Sequence, residues 1–327
     1  MKCPGCGRES VADSVFCTYC GAKMMPDAKV ENRLLEADTT SLREAVSRRR
    51  GTDRQIPPWL VVVPFILNLL FGFVMVAAIF SAIFEYDIAA DGMPPMEELY
   101  GDIGWIVTAS MVVGILFYGT YAVIAYALVD RSNRHLEREA AVMEAVNRIL
   151  EKVSGGRSER QASWDEYGAP LDPRPHGTKR VPLVWAMAIL VPVLGSLLQY
   201  YTFTFRGFDT YESMQFAFMP LTLVHALLMF YMLHFLTDDA WKHDRTWTDF
   251  ARGTKVAIAR AGGTAGGIDE GYPMQRRPSA LYVILSFVTF GLFLVFWWYA
   301  AVKDTNDHYA RHVWFEDELL AYFSGNR

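Results

Sequence analysis

The chain has 327 residues, 52% of them hydrophobic, and a formal net charge of −5, so no overall positive field favours nucleic acid. A mean hydropathy of +0.13, with the apolar residues clumped rather than periodic, excludes an ordinary soluble domain and points to membrane spans. All four cysteines lie in the first twenty residues, paired as metal ligands in a reducing compartment are, and not as a disulfide framework.

Residues 1–24 carry Cys3-x-x-Cys6 and Cys17-x-x-Cys20, four thiolates that would close one tetrahedral zinc site. Gly5, Gly7 and Gly21 sit in or beside the two knuckles, where backbone turns in close to sulfur. With Pro4 and Phe16 these residues make a C-P-x-C-G…F-C-x-x-C-G pattern. It resembles the short zinc ribbon of many prokaryotic proteins, here joined to a multi-span membrane region. The resemblance implies one structural zinc on Cys3, Cys6, Cys17 and Cys20. It covers under a tenth of the chain. Four cysteines leave no open position for catalysis. Polar, cysteine-bearing sequence stands where a secretory signal would, so the first apolar run directs insertion.

Residues 25–56 read as a polar cytoplasmic connector, with Ser41-x-x-Glu44 as a capping box opening a helix that ends near Gly51. Arg43, Arg48, Arg49, Arg50 and Arg54 gather before the first span. Residues 57–129 hold two spans around a loop bearing Glu85, Asp87, Asp91, Glu97, Glu98 and Asp102 without lysine or arginine, and Arg131, Arg134 and Arg138 follow. That asymmetry places the amino terminus and segment 130–180 in the cytoplasm and the acidic loop outside. Within 130–180, Leu136, Met143 and Leu150 repeat every seven residues, joined by Val146 and Val153, an apolar stripe that needs a partner. Residues 157–180 read as linker.

Residues 181–237 supply the third and fourth spans, and 238–278 a second basic cytoplasmic segment ending in a glycine-rich linker. The fifth apolar stretch, 279–302, holds 24 residues without charge or proline, about 36 Å as a helix. That length exceeds a hydrocarbon core of about 30 Å. A polar helix, 303–327, follows. The stretch and its tail resemble uncharacterised prokaryotic membrane domains with a Thr-x-Gly in the span and an Asn-x-His after it, here Thr289, Gly291, Asn306 and His308.

A repeat runs through these segments. Phe117, Tyr126, Ala127, Val129, Asn133, His135 and Arg138 recur 173 residues later as Phe290, Tyr299, Ala300, Val302, Asn306, His308 and Arg311. Asp239 and His243 echo Asp304 and His308 as a fainter third copy. The Asn-x-His reads as interfacial capping and packing. The repeat and the span count disagree about the tail. Five crossings from a cytoplasmic amino terminus put the carboxyl terminus outside, and the uninterrupted apolar run favours that count over a turn that would expose backbone to lipid.

Intramembrane polar residues offer the other candidate chemistry. His225, Asn68 and Gln199 lie mid-span, either as interhelical hydrogen-bond glue or as a translocation path. Asp304, His308, His312 and Glu316 fall at steps of four, a ladder common on solvated helices, whose His308/His312 pair could take a metal given a third ligand. No phosphate loop, His-Glu-x-x-His helix or nucleophile elbow is present. The fold class expected is an all-α polytopic membrane protein of about five transmembrane helices with a small zinc ribbon, multi-pass in the cytoplasmic (plasma) membrane. The function expected is non-enzymatic: assembly, sensing or recruitment of a protein partner through the ribbon and cytoplasmic helices, with no nucleic acid. A transporter or channel component is the alternative.

Overall fold

A computed structural model describes residues 6, 8, 9, 20, 27–85, 96–153, 177–206, 208–260 and 273–324 of the chain. Two of the expected zinc ligands, Cys3 and Cys17, lie outside the described residues, as do Asp87 and Asp91 of the acidic loop. In chain order the helices are α1 (Asp27–Ser47), α2 (Arg49–Thr52), a 3₁₀ turn (Pro58–Val61), α3 (Val62–Glu85), α4 (Met96–Val153), α5 (Pro182–Arg206), α6 (Phe208–Arg260), α7 (Ser279–Val288) and α8 (Leu292–Phe323). The all-α multi-span class read from the sequence is what the structure shows. Four helices are long and apolar enough to cross a membrane: those holding Pro58–Ser81, Trp105–Lys152, Pro182–Thr202 and Phe218–Ala259. Their outer faces expose large apolar side chains, among them Leu67, Phe73, Val123, Leu194 and Leu223, as lipid contact requires.

Three helical hairpins, α3–α4, α5–α6 and α7–α8, make up the body of the chain. They close on one another in a ring: α4 packs on α5, α6 on α7, and α8 on the 3₁₀ turn and α3. The second helix of each hairpin thus meets the entry of the next, a cyclic, heterologous arrangement inside one polypeptide. At its membrane-facing core Tyr121, Leu128, Met232, Leu233, Trp297 and Trp298 pack together.

The second helices are far longer than a bilayer needs. At 58 and 53 residues, α4 and α6 extend to about 87 and 80 Å. Their far ends, with α1 and the end of α8, form a second core. The stripe of Met143, Val146 and Leu150 finds its partners there: Leu42 and Val46 of α1, Trp247 and Phe250 of α6, Phe315 and Leu319 of α8. Burying one such side chain stabilises by about 1.5–3 kcal/mol.

Helix α1 begins well before the expected capping box. Ser41 is an interior residue, and its hydroxyl donates back to the Ala37 carbonyl at 3.0 Å. Thr39 and Thr40 do the same to Leu35 and Glu36. Burial of Leu42, Ala45 and Val46 carries the helix through the polar run.

The fifth apolar stretch is a hairpin, not a straight crossing. Its first arm, α7, has 10 residues, about 15 Å and half a hydrocarbon core. Phe290 (φ 51°) and Gly291 (φ 89°) then reverse the chain. As a result Tyr282 meets Trp297 with ring centroids 5.5 Å apart, residues that one straight helix would separate by about 22 Å. The turn satisfies its own backbone. Gly291 N–H donates to Ser286 O at 2.7 Å and Phe290 N–H to Phe287 O at 3.1 Å, a Schellman closure, while Phe293 N–H takes the Thr289 hydroxyl at 3.0 Å. These bonds answer the objection that such a turn must expose unpaired groups to lipid. The tail therefore returns to α1 and α2, where Arg43 of α1 bonds Ser324 and Arg49 of α2 pairs with Asp317 at 2.8 Å. Helix α1, α2 and the end of α8 thus lie together, and the fifth stretch, expected as one straight crossing, is two arms that reverse at Phe290–Gly291.

Candidate functional site

Between the two cores, where the second helices leave the apolar layer, the repeated polar residues converge. His135 of α4, His243 of α6 and His308 of α8 form a triangle with ring centroids 5.3, 5.3 and 5.1 Å apart. One histidine comes from each hairpin. They are 1%, 5% and 1% exposed. Directly beyond them lies a second layer four residues further along each helix: Glu139, Trp247 and His312. His312 stacks on Trp247 at 4.1 Å and stands 4.0 Å from His308. Tyr309 stacks on His135 at 4.1 Å.

Carboxylates orient the imidazoles. His135 Nδ1 lies 3.0 Å from Asp53, in the segment before the first span, and His308 Nδ1 lies 2.6 Å from Asp244. Glu139 Oε2 is 3.2 Å from His135 Nε2 and also touches His243 Nε2, yet none of these Nε2 and Oε2 atoms has a hydrogen-bond partner by alignment. His308 Nε2 and both His312 nitrogens are likewise buried without one. Arginines brace the rim: Arg138 bridges Asp53 (2.8 Å) and Glu316 (2.6 Å), and Arg311 reaches Asp244 (2.7 Å). Three groupings place donor atoms within 4.8 Å of one another: His135/His243/His308, His135/Glu139/His312 and Asp244/His308/His312. A cavity of about 40 Å³, bordered by all three first-layer histidines with Asn133, Asp239 and Tyr309, opens beside them. That volume is large enough for a water molecule.

Charge states follow from burial. Desolvation, reinforced by the neighbouring imidazoles of His243 and His135, drives His308 down to about 4 against the pull of Asp244. Burial and then His308 put His312 well below the ordinary range. Both are neutral imidazoles at physiological pH. His135 goes the other way: burial would lower it, but the hydrogen bonds and charges of Asp53 and Glu139 prevail and raise it. Burial lifts Glu316 to about 7, opposed by Arg138. For Asp53 burial would raise the value, but the hydrogen bond and charge of His135 with the charge of Arg138 prevail and lower it.

The two Asn-x-His asparagines are clamps. Asn133 takes the N–H of Arg180 (3.1 Å) and gives to its carbonyl (2.7 Å); Asn306 does the same for Ile56 (3.3 and 2.7 Å). Each holds the entry strand of the next hairpin in the ring. Asp239 and Asp304 pair with Arg180 (2.6 Å) and Arg277 (2.8 Å), the arginines that precede α5 and α7.

Residues 277–319, covering Arg277 through most of α8, match the family described as Domain of unknown function (DUF4234). No curated protein and no solved structure matches the chain.

Some of the site was readable in the sequence. The tail ladder is real, but His308, His312 and Glu316 are buried, not solvated. The third ligand group the ladder lacked comes from His135 and His243, which the repeat had marked without revealing that copies converge. Glu139 carried no sequence signal beyond standing four residues after His135, and Asp53, 82 residues from that histidine, carried none. The intramembrane trio does not assemble: His225 bonds the Ala188 carbonyl of α5 at 3.0 Å, while Asn68 is exposed on α3 and Gln199 half-buried on α5.

Proposed function

We propose that the chain is a non-enzymatic membrane protein that displays its cysteine ribbon on a rigid bundle for assembly, sensing or partner recruitment. The observation that supports this reading is the second core. Helix α1, to whose start the ribbon segment is joined, packs with α4, α6 and α8 outside the apolar layer. A ribbon there stands on a platform braced by Arg49–Asp317 and Arg138–Glu316. The ribbon holds one structural zinc on Cys3, Cys6, Cys17 and Cys20, as four-thiolate knuckles do. The platform faces the cytoplasm of a plasma membrane, because arginine is concentrated on that side. His225 serves as interhelical glue, so the transporter reading has no assembled polar path to rest on.

Purified protein should carry a zinc bound by sulfur only, with thiolate bands in a cobalt-substituted form. Cys17→Ser should remove that zinc and the partners co-isolated from native membranes, and leave membrane insertion intact. Retention of sulfur-bound zinc, or an unchanged set of partners, would contradict the reading.

A further inference from the structure

We propose that His135, His243 and His308 together bind one divalent first-row transition-metal ion, zinc by ligand type, on the axis around which the three hairpins close. Four observations carry this. The three rings present nitrogen atoms within 4.8 Å of one another, so small ring shifts reach the separations that metal–nitrogen bonds of about 2.0–2.1 Å impose. Asp53 and Asp244 occupy Nδ1 of His135 and His308, which fixes those rings and turns their Nε2 atoms inward, the outer-shell pattern of metal-bound histidine. His308 Nε2 is buried without a partner, and the buried Nε2 atoms of His135 and His243 both converge on one oxygen of Glu139. Finally, Asp53 is offset by Arg138 and Asp244 by Arg311, whereas among the described residues buried Glu139 makes its ion-pair contacts with two imidazoles, His135 and His243, and feels Arg138 only at longer range. A bound dication would balance that charge.

Three imidazoles suit zinc and its neighbours and not calcium or magnesium, which take oxygen. Three protein ligands leave a fourth position, which Glu139 or a ligand in the adjoining cavity completes. The competing explanation is that the imidazoles only pack. It leaves His308 Nε2 without a partner and crowds the Nε2 atoms of His135 and His243 onto a single Glu139 oxygen.

The site is independent of the ribbon and is tested apart from it. Full-length protein with Cys3, Cys6, Cys17 and Cys20 all changed to Ser is purified in detergent, loaded with zinc or cobalt(II), and passed through gel filtration. The site predicts about one metal per chain and a cobalt spectrum without thiolate bands. His308→Ala should lower retention at least about ten-fold, while His225→Ala should keep it. Because His308→Ala removes a core side chain, Asp244→Asn and Asp53→Asn provide the second arm. They keep every ligand nitrogen and should weaken zinc binding by about 10–100-fold with helicity and elution unchanged. Retention below about one metal in ten chains by the cysteine-free protein, or undiminished retention when His135, His243 and His308 are all alanine, would overturn the proposal.

Discussion

Asn133 and Asn306 show how much work a repeated side chain does in this chain. Each closes two hydrogen bonds on the peptide of a single residue before the next hairpin. Asn306 also accepts from Arg131 at 2.6 Å and is the more buried of the two. Asn306→Ala strands the N–H and C=O of Ile56 and leaves Arg131 Nη1 with the Arg54 carbonyl alone, and should cost about 1–3 kcal/mol. Asn133→Ala, half-buried, should cost less. Thermal unfolding in detergent orders the two, and an Asn306→Ala chain as stable as the parent would discount the clamp. The repeat was visible in the sequence. Its partners were not, because Ile56 and Arg180 lie in connecting segments with no pattern of their own.

Among elements, the α7–α8 hairpin separates what composition reveals from what geometry decides. An uninterrupted apolar run of this length suits a simple crossing, so the sequence reading favoured it over a turn. The deciding features are local: positive φ at Phe290 and Gly291, and a Ser286 carbonyl placed to receive the Gly291 amide. A Cβ on Gly291 would meet open space, as would one on Gly72 in α3, but only Gly291 has a positive φ. Gly291→Val should therefore cost about 1–2 kcal/mol through backbone strain, and Gly72→Val no such term. Equal effects of the two on detergent stability would argue that the turn is not formed. The heptad stripe of α4 was readable for the same reason in reverse, since its period belongs to the helix and any apolar partner satisfies it.

For the whole molecule, ring closure explains why three copies of a weak motif persist at such different sequence spacings. Only by closing can one histidine from each hairpin face the other two. The sequence showed the copies and the apolar runs; that the third apolar run turns back at Phe290–Gly291, so the three repeated histidines meet, depended on long-range packing that no periodicity encodes. Topology labelling tests this most directly. Two chains are made without the four native cysteines, one with Arg50→Cys and one with a cysteine appended after Arg327. Intact and permeabilised cells are treated with a membrane-impermeant thiol reagent. With both ends on the arginine-rich face, proposed above to be cytoplasmic, both chains should label only after permeabilisation. Labelling of the appended cysteine on intact cells, with Arg50→Cys protected, would show that the fifth stretch crosses and that the three hairpins do not close as described.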